Sequence, residues 1–482
     1  MVIKKPLARI ILKRRSGVFK EGKMHAISAF FDLINEYLVG AFVPITLLLA
    51  GSGYLFYLRA FHIRHPLLLL RSMLKPQKKA EREGISPFRA VTLALAGTLG
   101  VGNLVGVASA ITFGGAGAVF WMLVSAFVAM LLKYAEIVLA VRYRELRCGG
   151  ARRGGAMYYI RVLFRRIGLP RLGAVIAGIF ALFCILDSLT MGCVIQMNAV
   201  GTAFRGVFGL SPILTGAVLA VVVFLITLGG GKRISALTER LVPFMTLLYL
   251  VLSIAVLVLR REALGSAFRA VVEDAFSFRS AGAGIGGFLF SKAIRLGTMR
   301  GLMSNEAGCG TAPIAHAESS AEYPAEQGVW GIFEVFADTI LLCTLTAAVL
   351  LVSYDRVALY GADSMMMTVK AYSTVLGVWS EPILALLVLF FAFATVICWA
   401  HYGRSALSYF TERKSVHIVY LILLSLSTFY GANAAPASIW TAADFAIGVM
   451  TLLNVGVIFA MRREVREETD RFLSLFKRKK IE

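Results

Sequence analysis

The chemistry available to this chain lies first in its backbone. The run Ala96-Gly97-Thr98-Leu99-Gly100-Val101-Gly102-Asn103, followed by Gly106, places glycines and an asparagine inside an apolar stretch. Each glycine costs a helix interior about 1 kcal/mol against alanine. The run therefore predicts an unwound segment. A packing seam through Gly102-x-x-x-Gly106 is the competing reading, and the polar Asn103 beside the glycines favours unwinding. Free amides at a broken helix attract a carboxylate, and free carbonyls coordinate a cation. Together they suit a zwitterion carried with a positive ion. A second glycine-dense run (Gly282, Gly284, Gly286, Gly287 and Gly297) interrupts the apolar stretch 268–298. Asp187 lies in the apolar run Phe180 to Gly192. A carboxylate there is expensive and usually functional. It binds the cation, carries a proton, or pairs with a buried base such as Lys292.

Other side chains offer little. Cys148, Cys184, Cys193, Cys309, Cys343 and Cys398 show no metal-ligand spacing, and those in apolar runs read as small buried hydrophobes. His316 and His401 are isolated in sequence. A membrane-embedded enzyme would need a clustered constellation of such groups, and a channel would need ring-forming charged repeats. Neither pattern is present. Lys133 and Glu136, three apart, can pair and read as fixing a helix end near the membrane surface. Glu306 sits in a glycine-rich turn where structural, gating and binding roles all stay open.

The elements that must position these residues are apolar helices. The 482 residues are 58% hydrophobic and 16% charged, with a mean hydropathy of +0.76. Soluble domains carry about 25% charged residues, so a water-soluble protein is excluded, and so is disorder. A helix needs about 20 apolar residues to cross a bilayer. Eleven spans are predicted: 38–58, 88–113, 117–142, 173–204, 213–229, 240–260, 268–298, 327–352, 380–411, 415–432 and 440–461. The chain reads as an all-α polytopic membrane protein. With 38–58 set aside as an extra helix, five spans (88–260) precede five more (268–461). A glycine-interrupted helix at the head of each half points to a transporter built from inverted repeats.

Charge sets the orientation. The formal net charge of +22 is carried by loops between apolar runs, which suggests a lipid bilayer rather than nucleic acid as the partner. Loops 59–87 and 143–172 and the tail 462–482 are basic, which places the C-terminus in the cytoplasm and the N-terminus outside. The N-terminal extension 1–37 breaks the pattern, because residues 1–23 hold eight basic residues, all before Met24. Either translation begins at Met24 and 1–23 are not translated, or the span count is even and the N-terminus lies inside. Residues 1–23 lack the apolar core of a signal peptide.

Five blocks carry a family resemblance. They are Gly97 to Ala108; Gly114 to Met122 with Lys133-Tyr134-Ala135-Glu136; Gly154 to Ile160; Gly230 to Ile234 with Leu241 to Met245; and Arg300 to Gly308 with Ala312 to Ala317. In this order and spacing the chain resembles the alanine/glycine:cation symporter family, the sodium:alanine symporters, from about residue 38 to 460. The resemblance implies a LeuT-like core of five plus five helices after one extra helix. It also implies symport of a small neutral amino acid, alanine or glycine, with sodium across the plasma membrane (the inner membrane of a bacterium), and no prosthetic group.

By similarity, the substrate carboxylate would sit on the amides near Gly100 and Gly102, with Thr98 and Asn103 close by. Gly192, Gln196 and Asn198 would line the site, Ile285, Gly286 and Gly287 would come from the second broken helix, and Trp399 would cap the pocket. Gln196 has a packing role as its alternative, and Trp399 the role of an ordinary core aromatic. Sodium would take the carbonyls of Ala96 and Leu99 and the hydroxyl of Thr395. The chain departs from the family pattern at Ala394, where a serine is usual, and at Trp399-Ala400-His401-Tyr402-Gly403-Arg404, where the run usually ends Tyr-Tyr-Gly-Glu. It also departs at Ala116 and Ala156, which replace prolines, and at Ile285, which replaces an aromatic. The missing hydroxyl at 394 and the presence of Asp187 leave a proton-coupled symporter or an exchanger as the alternative.

Overall fold

The computed structural model describes residues 35, 37–74, 84–146, 152–276, 292–358, 363–434 and 437–478. The start at Met24 and the residues Ile285, Gly286 and Gly287 lie outside the described residues.

The apolar runs form helices whose ends are set by local sequence. Helix α1 is Leu38–Tyr57, and α2 (Pro66–Leu74) follows it. The first broken span is α3 (Pro87–Thr98) and α4 (Val105–Gly114). Then come α5 (Gly117–Arg142), α6 (Ala156–Arg166), α7 (Pro170–Phe208), α8 (Pro212–Thr227) and α9 (Gly230–Leu259). Proline opens α3, α7 and α8, where its missing N–H has no intrahelical partner to lose. The Ser86 hydroxyl caps α3 by accepting from the Arg89 N–H at 3.2 Å.

The second half begins with α10 (Leu264–Ala275), α11 (Lys292–Asn305) and α12 (Ala312–Ala317). It continues with α13 (Pro324–Val352), α14 (Ser364–Leu376), α15 (Ser380–Phe410), α16 (Lys414–Asn433), α17 (Ala437–Ala460) and α18 (Arg462–Arg478). Helix α5 packs against α1, α11 and α13; α7 packs against α15 and α17; α8 packs against α16.

Among the described residues, eight helices are long and apolar enough to cross a membrane, and the bent pair α3–α4 makes a ninth. Two of the eleven expected spans are not among these. Helix α8 is apolar but has only 16 residues. The middle of the expected span 268–298, residues 277–291, lies outside the described residues, and α11 carries Lys292, Arg295 and Arg300 along its length.

The first break falls where the glycine run predicts it. Leu99 turns out of the helix, Gly100 is extended at φ −111° and ψ −162°, and Val101–Asn103 makes one 3-10 turn. The two limbs are bent by 56°. Of the glycines expected to break the second span, Gly282, Gly284, Gly286 and Gly287 lie outside the described residues. Helix α11 is regular through Gly297, which lies in direct contact with the Ala118 carbonyl of α5. The chain then unwinds between α11 and α12, where Glu306, Gly308 and Gly310 have φ of 52°, 83° and 84°.

Two other expectations are corrected. Lys133 and Glu136 are fully buried in α5, and they do not bond to each other: Lys133 Nζ lies 3.1 Å from Glu334 Oε1 and donates to the Asn305 carbonyl at 2.8 Å. Glu136 Oε2 accepts from the Gly310 N–H at 3.0 Å and from Asn454 Nδ2 at 2.9 Å. The basic tail holds a docked helix, α18, whose Thr469 hydroxyl is 2.7 Å from the Tyr134 hydroxyl of α5.

Candidate functional site

The site is built around Gly100. A Cβ there would fall 2.6 Å from Thr395 Oγ1 and 2.8 Å from Gln196 Oε1, so only glycine lets three elements meet. Gln196 Oε1 accepts from the Val101 N–H at 2.9 Å, and its Nε2 donates to the Met191 carbonyl at 3.2 Å. That second bond anchors the amide to the π-helical turn Thr190–Ile195 inside α7. Such turns recur at functional sites because they release backbone groups. Gln196 therefore occupies an amide of the broken helix rather than leaving it free.

Thr395 Oγ1 lies 3.0 Å from the Ala96 carbonyl and 3.0 Å from the Phe391 carbonyl. This brings together two of the three expected sodium ligands, with Leu99 at the turn beside them, 1% exposed. Hydroxyl and carbonyl oxygens are the ligands that hard cations take.

Beside Gly100 is a cavity of about 20 Å³, lined by Thr98, Gly100, Gly102, Met191, Gln196 and Met303, and by Arg300 and Trp440. It has room for about one water. The Arg300 guanidinium stacks on the Trp440 ring at 4.9 Å and separates this cavity from one of about 230 Å³ that holds Arg295, Thr441 and Asp444. A larger cavity, about 750 Å³, opens at the N-terminal end of α3. It is lined by Arg152, Lys232, Arg404 and Lys414, with His401 Nε2 lying 3.0 Å from Glu318 Oε1.

Several expected site residues point elsewhere. Asn103 faces away from the cavity, donating to Asp338 Oδ1 at 2.7 Å and to Ser304 Oγ at 3.1 Å. It ties the first break to the second half. Asn198 donates to the Gly431 carbonyl at 3.2 Å and also to that of Ala434, so it packs α7 against α16. Trp399 does not line the cavity. It lies behind Gly192, in direct contact with it, and meets Tyr402 edge-on at 5.6 Å. Its Nε1 has no partner among the described residues.

Asp187 is fully buried. Its Oδ1 accepts from the Thr190 hydroxyl at 3.3 Å and its Oδ2 has no partner among the described residues. Lys292 is exposed and so is not its counter-ion. The second-half side chains that do reach the cavity, Arg300, Met303 and Trp440, were missed. The first two lie inside the Arg300-to-Gly308 block, whose residue types alone do not say which way they point.

Comparison with known proteins identifies the family. The sodium:alanine symporter family matches residues 24–482. The sodium/alanine symporter AgcS of Methanococcus maripaludis is 34% identical over 92% of this chain and 96% of its own. The probable sodium/glutamine symporter GlnT of Bacillus subtilis is 31% identical, covering 90% and 88%. Among solved structures, MhsT in complex with L-phenylalanine is similar with a TM-score of 0.50 at 16% identity, over 81% of this chain and 93% of its own. That likeness shows a LeuT-type transporter fold. Matched along nearly all its length, this multi-pass membrane protein is a carrier rather than an enzyme and belongs to the sodium:alanine symporter family.

Proposed function

We propose that the chain is a sodium-coupled symporter of small neutral amino acids, alanine foremost, working by alternating access in the plasma membrane with its C-terminus in the cytoplasm. One observation carries the reading: at the first helix break, the Thr395 hydroxyl meets the Ala96 carbonyl while Gln196 holds the Val101 amide. Cation and substrate would thus be sensed by adjacent atoms of one broken helix. The name of AgcS supports alanine and sodium, and that of GlnT keeps a larger neutral side chain in view.

The five-plus-five inverted repeat is part of the proposal. In its support, α3–α4 and α11–α12 are both broken. In addition, α6 and α14 occupy matching places, each in the connection between the second and third spans of its half. A small central cavity, a stacked Arg300–Trp440 pair and a separate 750 Å³ cavity at the N-terminal end of α3 support reading the arrangement as inward-facing. Alternating access would then rock one bundle against the other around the midplane site.

The test is labelled alanine uptake into proteoliposomes, with sodium and proton gradients imposed separately. Sodium-driven uptake is expected. Uptake driven by protons alone would favour the second reading, proton-coupled symport or exchange. The buried Asp187, with its unpartnered oxygen, speaks for that reading. No alanine uptake under either gradient, with reconstitution verified, would remove alanine as the substrate.

A further inference from the structure

The second helix break holds more negative charge than its surroundings balance. Glu136, Glu306, Glu334 and Asp338 are each at most 1% exposed, and so is Lys133. The Lys133 ammonium lies against Glu334, which also faces His316 Nε2 at 3.2 Å. Asp338 is held by three donors: the Asn103 amide and the hydroxyls of Ser304 and Thr339. Glu136 has two donors on one oxygen. Glu306 has the least support. Its Oε2 is 2.6 Å from Thr311 Oγ1, and its Oε1 has no partner among the described residues.

Burying a carboxylate without compensating bonds is costly, and such a group tends to take up a proton instead. The charges that face Glu306 do not relieve it. Glu334 and Asp338 from α13 and Asp187 from α7 repel it, and Glu136 stands across the break on α5. The one ammonium, Lys133, is shared with Glu334. A sodium ion would need several further oxygens around Glu306, whereas a proton needs one acceptor. The Thr311 contact supplies it: with the proton on Oε2, the carboxyl donates to the Thr311 hydroxyl, and Oε1 becomes a neutral carbonyl oxygen that is far cheaper to leave unpaired. The backbone adds an independent sign. Glu306 is held at φ 52°, a region that non-glycine residues seldom occupy outside strained functional positions.

We propose that Glu306 is a proton-binding site at the second helix break, occupied in this conformation and released to water as a carboxylate when the break opens. Its role in a transport cycle rests on the symport reading, but the binding itself does not.

The test is infrared difference spectroscopy of the purified full chain in lipid at neutral pH. A protonated carboxylic-acid carbonyl stretch that belongs to Glu306 is expected in the wild type. Glu306→Gln, a neutral isostere that should keep the fold, is expected to lose that band. Thr311→Val, which removes the hydrogen-bond partner, is expected to displace it. A Glu306→Gln spectrum that superimposes on the wild type would overturn the proposal. If that variant does not accumulate, an undisplaced band in Thr311→Val overturns it instead. No transported substrate enters the measurement, so failure of alanine uptake would count against the symport reading alone.

Discussion

Replacing Gly100 with alanine tests the geometry of the first break directly. The new methyl would stand 2.6 Å from Thr395 Oγ1 and 2.8 Å from Gln196 Oε1. Neither oxygen is the loose end of a flexible chain, because each is tied down: Thr395 to Ala96 and Phe391, Gln196 to Val101 and Met191. Forcing a methyl into a packed interior costs about 1–3 kcal/mol. Moving Gln196 off the Val101 amide leaves a buried donor unsatisfied, which costs about 1–3 kcal/mol more. The sum, about 2–6 kcal/mol, corresponds to at least about thirtyfold in the occupancy of the packed arrangement. The assay is initial-rate uptake of labelled amino acid into proteoliposomes, with thermal unfolding followed in parallel. Gly456→Ala in α17 is the control, since Gly456 is exposed, nothing lies within 4 Å of a Cβ there, and alanine is the better helix former by about 1 kcal/mol. The expected result is an uptake loss of about thirtyfold or more for Gly100→Ala, with Gly456→Ala close to wild type. Equal behaviour of the two variants would refute the reasoning.

Three further outcomes follow from the same contacts. Thr395→Val keeps the shape but removes the hydroxyl from the Ala96 carbonyl; the apparent sodium affinity of uptake should fall by about tenfold or more, as for about 1.4 kcal/mol, with folding preserved. Gln196→Leu strips the Val101 amide of its acceptor, an orphaned donor worth about 1–3 kcal/mol, and should abolish most uptake while the protein still elutes as a single species. Lys133→Met leaves Glu334 without its ammonium in a fully buried site. A loss of about 3–5 kcal/mol is expected, read as a lower unfolding midpoint, and adding Glu334→Gln should recover most of it.

How far the fold could be read depended on what each signal measures. The first break was legible because glycines and Asn103 coincide within one apolar run, and the chain bends there. The expected second break at Gly282, Gly284, Gly286 and Gly287 lies outside the described residues. The unwound stretch at Glu306, Gly308 and Gly310 was read as a glycine-rich turn but not as a break, because one of its three residues is not glycine. Lys133 and Glu136 were read as a pair because residues three apart look self-contained, whereas the true partners, Glu334 and Asn454, come from distant helices. Asn198 could not share a face with Gln196, since two residues along a helix turn the side chain by roughly 200°. Helices α6, α14 and α18 escaped a search for apolar runs because each has a strongly polar face or is short. Arg300, Met303 and Trp440 show the remaining limit: their residue types were visible, but which of them reach the cavity depends on how α11 and α17 are rotated.

Helix α5 is gripped on two sides without clearance. Gly297 of α11 lies directly against Ala118, Gly331 of α13 against Ile137, and a Cβ on Gly328 would sit 2.8 Å from the Tyr134 ring. Seams this tight cannot slide past one another without parting, so α5 and the stretches of α11 and α13 fused to it must travel as a single casting. Any relative motion in the molecule is then pushed outward to the unwound links at 99–104 and 306–311. Mechanically, the protein resembles a spindle with two flexible couplings more than a pair of hinged halves, and the Glu136 carboxylate, bonded to the Gly310 amide, is the pin that fastens one coupling to the spindle.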